Sequence, residues 1–291
     1  MRRPYLIAEA GINHNGDIRK AFELIDIAVE AGWDIVKFQK RDPDTCVPED
    51  QKSLPKMWKG KEMTYLEYKK DIEFGLEEYK QINAYCNNKG IDWTVSVWDI
   101  PSAEFMMDNF KDDIPFIKLP SACIIDRELI NYFNENHPDM PILISNGMSD
   151  EYEMDTAIQE IKNLYGVLHC NSSYPANKYE LDLTYIPILK EKVKSKSNYS
   201  CWDFPSVGYS GHEEDPLNPC LYAFAAGAEI IERHITYDRQ AEGSDHKCSL
   251  QKMAMITLRE ELEEVGKILG DPELKIYSGE YSARKKLRRE A

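Results

Sequence analysis

Short apolar runs alternate with longer amphipathic segments along most of the chain. The first run, YLIAEAG (residues 5–11), has the length of a strand, and the segment DIRKAFELIDIAVEAG (17–32) repeats its apolar residues at helical spacing. The same order recurs to about residue 268. It predicts strands at 5–11, 34–39, 92–98, 115–121, 141–148, 166–172, 206–212 and 228–235, and helices at 17–32, 75–89, 101–110, 126–136, 150–163, 181–193, 217–227 and 250–268.

About eight strand–helix units follow one another without a break in composition. Alternation of this kind predicts a parallel sheet, and a count near eight predicts closure into a (β/α)8 TIM barrel of the α/β class. The strands are nearly all apolar, as expected when both faces are buried. Residues 41–72 are polar and contain prolines, so we interpret them as an irregular insertion, and residues 270–291 as a helical tail. We therefore expect one domain over residues 1–291.

The composition limits the partners of this domain. The chain has 291 residues and a formal net charge of −15, which repels nucleic acid and anionic membranes but still permits a small anionic substrate near local cations. The apolar runs are too short for a membrane span or a secretory signal. Seven scattered cysteines without a CxxC pair indicate reduced thiols. We expect a cytoplasmic protein that binds neither nucleic acid nor membranes.

Polar residues gather at the C-terminal ends of the predicted strands, where TIM barrels carry their active sites. Lys37 and Lys118 lie within otherwise apolar strands, and a buried lysine is costly unless it meets a carboxylate or an anionic ligand. An internal ion pair with Glu9 or Glu232 is one interpretation. The other is a cradle for a phosphate or carboxylate group. Hydroxyl donors for such a cradle stand at the strand ends, at Ser121, Ser145 and Ser210.

Two histidines end predicted strands that neighbour each other in the barrel. His212 closes VGYSGH and His234 closes IIERH. Adjacent strands lie roughly 5 Å apart, so the two imidazoles could share a divalent metal ion. Two nitrogen ligands without cysteine leave coordination positions free for water and substrate. A metal ion in such an open site can act as a Lewis acid on a carbonyl group. The alternative is two hydrogen-bonded core histidines that share a local pattern.

Several motifs together resemble the sialic acid synthase (N-acetylneuraminate synthase) family, in family order and over almost the whole chain. They are IAEAGINHNGD (7–17), KFQKRD (37–42), SNGM (145–148), HCNSSYP (169–175), VGYSGHE (207–213), ERHITYD (232–238) and EGSDHKCSL (242–250). The resemblance implies a transferase that forms a carbon–carbon bond. It would condense phosphoenolpyruvate with an N-acetylated aldose, N-acetylmannosamine or its 6-phosphate, to give a nine-carbon 2-keto-3-deoxy acid and phosphate.

The resemblance also implies roles for single residues. His212 and His234 match the metal-binding histidines, and Glu9 matches the acid/base glutamate beside the metal. The phosphoenolpyruvate-binding positions are Lys37, Ser96, Lys118, Ser121, Ser145, Ser172 and Ser210, and the sugar-binding positions are Gln39, Tyr174 and Asp245. The implied cofactor is a divalent metal, Mn²⁺ first, with Mg²⁺, Co²⁺, Fe²⁺ or Zn²⁺ as alternatives. The implied partners are phosphoenolpyruvate and an amino-sugar aldose, in a homodimer or higher homo-oligomer.

Three departures from the family pattern bear on the acceptor sugar. Many members continue beyond the equivalent of SARKKLRREA into a small antifreeze-like domain that lends an arginine to the sugar site, so we expect different sugar recognition here. Cys123 stands where members carry a sugar-binding glutamate, and Gly211 follows a branch that includes synthases acting on the 6-phosphorylated sugar. Other hypotheses are a diacetamido or non-acetylated aldose, a non-catalytic sugar- or metal-binding barrel, and an aldolase or isomerase.

Overall fold

Eight parallel strands close into a barrel in the computed structural model, which describes residues 3–196 and 207–289. The barrel order is β1-β10-β9-β8-β7-β6-β5-β2, and a separate hairpin pairs β3 with β4. The strands are β1 Tyr5–Gly11, β2 Ile35–Lys40, β3 Pro55–Trp58, β4 Lys61–Thr64, β5 Asp92–Val97, β6 Ile117–Leu119, β7 Ile142–Ser145, β8 Leu164–Cys170, β9 Val207–Gly211 and β10 Ile230–His234. The predicted (β/α)8 TIM barrel is confirmed.

Helices connect the strands and cover the outside of the barrel. They are α1 Ile18–Glu30, α2 Pro43–Cys46, α3 Tyr65–Ile72, α4 Leu76–Lys89, α5 Ile100–Phe110, α6 Arg127–Asn136, α7 Glu151–Glu160, α8 Tyr185–Lys196, α9 Leu217–Ala225, α10 Lys252–Leu269 and α11 Tyr281–Leu287. Aspartates start several of them because a carboxylate accepts the free backbone N–H groups of the first turn, as Asp17 does for α1 and Asp150 for α7. In the described part of the chain, no helix is long and apolar enough to cross a membrane.

The insertion at 41–72 is ordered, so the prediction of an irregular segment was wrong. It consists of α2, the β3–β4 hairpin and α3. Trp58, Tyr68 and Ile72 from the insertion pack with Ile12 from the loop after β1 and form a small apolar core of their own. The polar appearance of the sequence hid this core, because its few apolar residues are far apart in sequence and meet only after the hairpin folds.

The interior of the barrel explains where the polar residues lie. Six apolar residues, in or just before six of the eight barrel strands, form one cluster that is separate from the larger core between sheet and helices: Ile7, Ile35, Phe116, Leu143, Leu168 and Ile230. Side chains in a strand return to the same face every second residue. The position two residues after each member of this cluster therefore also faces the interior, nearer the C-terminal end. Those positions are Glu9, Lys37, Lys118, Ser145, Cys170 and Glu232.

Candidate active site

A cavity of about 260 Å³ lies at the C-terminal ends of the barrel strands. Its floor is the polar layer that follows the apolar cluster of the barrel. The structure brings together nearly all of the residues that the sequence predicted for the site. The lining includes Glu9, Lys37, Gln39, Ser96, Lys118, Ser121, Ser145, Ser172, Tyr174, Ser210, His212 and His234. Asp245 is the exception: it lies beside the cavity rather than in its lining.

Two lysines and two glutamates form one buried charged network at the floor of the cavity. Lys37 forms an ion pair with Glu9 and lies 3.6 Å from a carboxylate oxygen of Glu232. Lys118 Nζ donates to Glu232 Oε1 at 2.6 Å, and Ser210 Oγ donates to the same oxygen at 3.0 Å. Both lysines therefore have the carboxylate partners that the ion-pair interpretation predicted. Both lysines also face the cavity.

Burial and charge act in opposite directions on the pKa values of this network. Burial disfavours the charged form of Glu232, but Lys118 and Lys37 outweigh it and lower its pKa to about 2. Burial also disfavours charged Lys37, yet Glu232 and Glu9 hold its pKa above the ordinary lysine value. The pKa of Lys118 is lowered, first by burial and then by repulsion from Lys37. Near neutral pH, Glu232 and Lys37 are therefore both ionised.

The two histidines lie side by side at the wall of the cavity, as the sequence predicted from neighbouring strands. β9 pairs with β10, and the centroids of the His212 and His234 rings are 5.5 Å apart. His212 Nδ1 lies 2.8 Å from the carbonyl oxygen of Asn171, so Nδ1 carries the proton and Nε2 keeps its lone pair. Burial lowers the pKa of His212 to about 3, with repulsion from His234 adding to it. His212 is therefore a neutral imidazole.

A neutral, oriented imidazole is the form that binds a metal ion, and the second histidine also fits this role. His234 Nδ1 is buried and finds no hydrogen-bond partner in the part of the chain that the structure describes. Among residues 3–196 and 207–289, no three His, Cys, Asp or Glu side chains are grouped so as to hold a metal ion. The two histidines alone could supply only part of the ligands of a metal ion. An open site, whose remaining ligands are water and substrate, requires no more from the protein.

The residues predicted to contact the sugar surround the histidines on the outer side. Gln39 Nε2 donates to Glu9 Oε1 at 3.0 Å, and the Tyr174 ring centroid lies 4.1 Å from that of His212. Asp245 Oδ2 lies 3.8 Å from His234 Nδ1. These contacts place a carboxylate, an amide and a half-exposed tyrosine around the same opening.

Several residues of the site were not predicted from the sequence. Trp98, Met148 and Cys170 line the cavity. Beneath the two histidines, fully buried Arg233 forms an ion pair with Glu213, whose other carboxylate oxygen accepts from the Tyr209 hydroxyl at 2.8 Å. The arginine in the apolar run IIERH was the available signal for this pair, since a buried arginine needs a partner. The sequence could not show that this partner is Glu213, because Glu213 follows a different strand.

Cys123 does not line the cavity. Its thiol is buried and donates to the carbonyl oxygen of Trp98 at 3.6 Å. Burial raises the pKa of this thiol to about 12, so it is neutral and unreactive. The position at which the resemblance implies a sugar-binding glutamate is therefore a packed, uncharged residue here.

Comparisons with known proteins agree with the barrel fold. Residues 24–274 match the NeuB family. An N-acetylneuraminate-9-phosphate synthase of Drosophila melanogaster is 34% identical over 263 residues, which is 87% of this chain and 66% of that protein. An N,N'-diacetyllegionaminic acid synthase of Legionella pneumophila is 31% identical over 295 residues, which is 98% of this chain and 78% of that protein.

A solved structure extends the similarity to three dimensions. The N-acetylneuraminic acid (sialic acid) synthetase of Leptospira borgpetersenii has a TM-score of 0.83 at 29% identity, covering 99% of this chain and 94% of that one. The family match spans most of the chain and includes both histidines and both buried lysines. The chain therefore belongs to the NeuB family of carbon–carbon bond-forming synthases.

Proposed function

We propose that this protein condenses phosphoenolpyruvate with an N-acetylated aldose, N-acetylmannosamine or its 6-phosphate, to give a sialic-acid-like nine-carbon 2-keto-3-deoxy acid and phosphate. One observation carries the proposal: two buried lysines and two neighbouring histidines face a single cavity. The lysines suit a small polyanion, and the histidine side of the cavity suits the carbonyl end of a sugar. Named relatives make acids of this kind.

Phosphoenolpyruvate would bind over the charged network. An ammonium group has three N–H donors, so Lys118 can keep its bond to Glu232 and still donate to a ligand oxygen. The neighbouring hydroxyls supply neutral donors, from Ser96, Ser121, Ser145, Ser172 and Ser210. Gly147 allows its backbone to lie close to them, since a Cβ at this position would come within 2.8 Å of Ser121 Oγ. This arrangement can hold both the carboxylate and the phosphate of the substrate.

The reaction joins C3 of the enol to the aldehyde carbon of the open-chain sugar. The π electrons of the enol form the new bond, and the aldehyde oxygen gains a proton to become a hydroxyl. Water adds to C2 and gives up a proton, which leaves a hydroxyl and the phosphate ester on the same carbon. The bond between C2 and the ester oxygen then breaks, and the C2 hydroxyl loses its proton to the departing phosphate to leave the ketone. Glu9, which contacts Gln39 and Lys37, would take the water proton or supply the hydroxyl proton.

His212 and His234 would hold the divalent metal, with Mn²⁺ as the first expectation. The chemistry that such an ion supplies when bound is polarisation of the aldehyde carbonyl. The contribution of the chain is to keep His212 neutral and oriented through its bond to Asn171. We also propose a homo-oligomer and a cytoplasmic location. The second is supported by the six described cysteines, which are all free thiols.

Phosphate release tests this proposal. The protein is incubated with phosphoenolpyruvate, Mn²⁺ and a panel of aldoses that includes N-acetylmannosamine, its 6-phosphate, a diacetamido sugar and mannose. We expect acceptor-dependent release of phosphate with the N-acetylated sugars and its loss in the His212→Ala variant. Release with only non-acetylated sugars would overturn the assigned acceptor. Binding of sugar without any turnover would support a non-catalytic barrel instead.

A further inference from the structure

A second group of cations lies next to the cavity, on its sugar side. Arg41 follows β2 and donates from Nη2 to Gln39 Oε1 at 2.7 Å. Its guanidinium carbon lies 3.6 Å from the centroid of the Trp98 ring. Gln39 and Trp98 both line the cavity, so Arg41 stands at its edge. The Nε atom of Arg41 is buried, and none of the described residues forms a hydrogen bond with it.

Lys69 on α3 lies across a small neighbouring cavity of about 70 Å³ that Arg41 also lines. Its Nζ atom packs 5.2 Å from the Tyr65 ring centroid and 5.1 Å from that of Tyr68. Burial lowers the pKa of Lys69 to about 8, and repulsion from Arg41 adds to this effect. The two side chains thus form a cation pair, Arg41 and Lys69, whose charges are close enough to repel each other.

Neither member of the cation pair forms an ion pair with a carboxylate of residues 3–196 or 207–289. The nearby carboxylates serve other groups. Glu73 accepts from Lys40 at 2.7 Å, and Asp245 accepts from Ser244 at 2.5 Å. Lys70, the next residue on α3, is paired with Asp44 at 2.8 Å. Asp245 and Glu73 attract Lys69 only at longer range, without an ion pair. Two adjacent cations that lack a direct carboxylate partner among the described residues are costly unless an anion binds between them.

The position of the cation pair identifies the anion that it would meet. Under the proposed function, phosphoenolpyruvate would bind to Lys37 and Lys118. Arg41 is bonded instead to Gln39, one of the residues proposed to contact the sugar. We propose that Arg41 and Lys69 form a binding site for a phosphate group on the far end of the acceptor aldose. The acceptor is therefore a phosphorylated amino sugar.

This inference rests on the proposed function and makes it more specific. An aldehyde must lie at one end of the acceptor, beside His212 and His234. A phosphate on the terminal carbon would then lie at the other end and would satisfy the donors of Arg41. A guanidinium matches two phosphate oxygens at once, and an ammonium adds a point charge.

The kinetic test compares N-acetylmannosamine 6-phosphate with N-acetylmannosamine at saturating phosphoenolpyruvate. The readout is the ratio of kcat/KM for the phosphorylated sugar to that for the free sugar. We expect a ratio of at least about 100 in the unchanged protein. Arg41→Gln and Lys69→Gln should each lower it about 10- to 100-fold, as expected for a hydrogen bond to a charged group. Lys70→Gln, on the same helix and paired with Asp44, is the matched control and should keep the ratio.

The KM for phosphoenolpyruvate separates the two possible sources of phosphate. If Arg41→Gln and Lys69→Gln raise the KM for phosphoenolpyruvate by as much as they lower the ratio of the two kcat/KM values, the cation pair binds phosphoenolpyruvate. That result would overturn the inference. A ratio near one in the unchanged protein, or an equal loss for both sugars in the variants, would also overturn it.

Equilibrium binding tests the phosphate site even if the protein does not catalyse the proposed reaction. Isothermal titration of the protein with each of the two sugars needs no turnover. Tighter binding of the phosphorylated sugar, lost in Arg41→Gln and kept in Lys70→Gln, would support the phosphate site alone. Absence of turnover with every acceptor would refute the proposed function separately. Equal affinity for both sugars would refute the phosphate site.

Discussion

Replacement of Arg233 by methionine tests the buried ion pair beneath the histidines. Arg233 is fully buried on β10, next to His234, and Glu213 follows His212. Besides the ion pair, Arg233 Nη2 donates to the carbonyl oxygen of Glu213 at 2.7 Å. The pair therefore connects the ends of β9 and β10, the two strands that carry His212 and His234. Methionine fills a similar volume without a charge, so the change removes the ion pair while keeping most of the packing.

The expected loss of stability follows from the carboxylate that remains. In Arg233→Met, the Tyr209 hydroxyl is the one side-chain donor that the described residues leave to Glu213, which stays buried. Breaking a buried pair on one side costs about 3–5 kcal/mol, because a charge is left without compensation. The double variant Arg233→Met/Glu213→Gln removes both charges, and we expect it to regain at least half of that loss. The exposed pair Lys80–Glu77 provides a control, Lys80→Met, which should cost at most about 1 kcal/mol.

The assay is urea denaturation followed by circular dichroism, together with titration of Mn²⁺ or Co²⁺ into the folded protein. We expect Arg233→Met to unfold at clearly lower urea and to bind the metal ion more weakly than Lys80→Met does. A loss of less than about 1 kcal/mol in Arg233→Met would refute the argument that the pair carries a buried charge. A double variant no more stable than the single one would contradict it as well.

Three further changes test other parts of the site. Gly211→Ala should destabilise the barrel and weaken metal binding, because its Cβ would fall on the Arg233 guanidinium; an unchanged urea midpoint would contradict this. Lys118→Gln should raise the KM for phosphoenolpyruvate about 10-fold or more through loss of a charged donor, with little effect on the KM for the sugar. The preference for the phosphorylated sugar should fall between pH 7 and pH 9, because Lys69 loses its proton at about pH 8 while Arg41 stays charged; Lys69→Gln should flatten that profile.

The site on the strands could be predicted because strand geometry is regular. Once an apolar residue of a strand faces the barrel interior, the residue two positions later faces it too. Lys37 after Ile35 and Glu232 after Ile230 follow this rule. The histidines were predictable for the same reason, since they end strands that must be neighbours in a closed barrel. For these residues, local pattern and topology were sufficient.

The residues on loops and insertions could not be predicted in this way. Asp245 follows no strand, and only the folded loop brings it to 3.8 Å from His234. Arg41 follows β2, and Lys69 lies on α3, in a segment that was expected to be irregular. These two residues come close only because the small apolar core around Trp58 holds the insertion against the loop after β1. Long-range packing of this kind leaves no periodic signal in the sequence.

The pairing of buried charges was the other feature beyond sequence reasoning. The sequence showed that Lys37 and Lys118 need a negatively charged partner, but it could not distinguish a carboxylate of the chain from an anionic ligand. The structure shows that Lys37 pairs with Glu9 and Lys118 with Glu232. These partners come from strands that are distant in sequence, so only the distances in the folded structure identify them.

The most direct test of the central claim is the mass of the product. The protein is incubated with uniformly ¹³C-labelled phosphoenolpyruvate, Mn²⁺ and N-acetylmannosamine 6-phosphate, and the products are analysed by mass spectrometry and by ¹³C NMR. The proposed reaction predicts one acid that contains all three labelled carbons joined to the sugar chain, formed in equal amount with phosphate. Labelled pyruvate with unchanged sugar, or labelled phosphoenolpyruvate recovered intact, would contradict it.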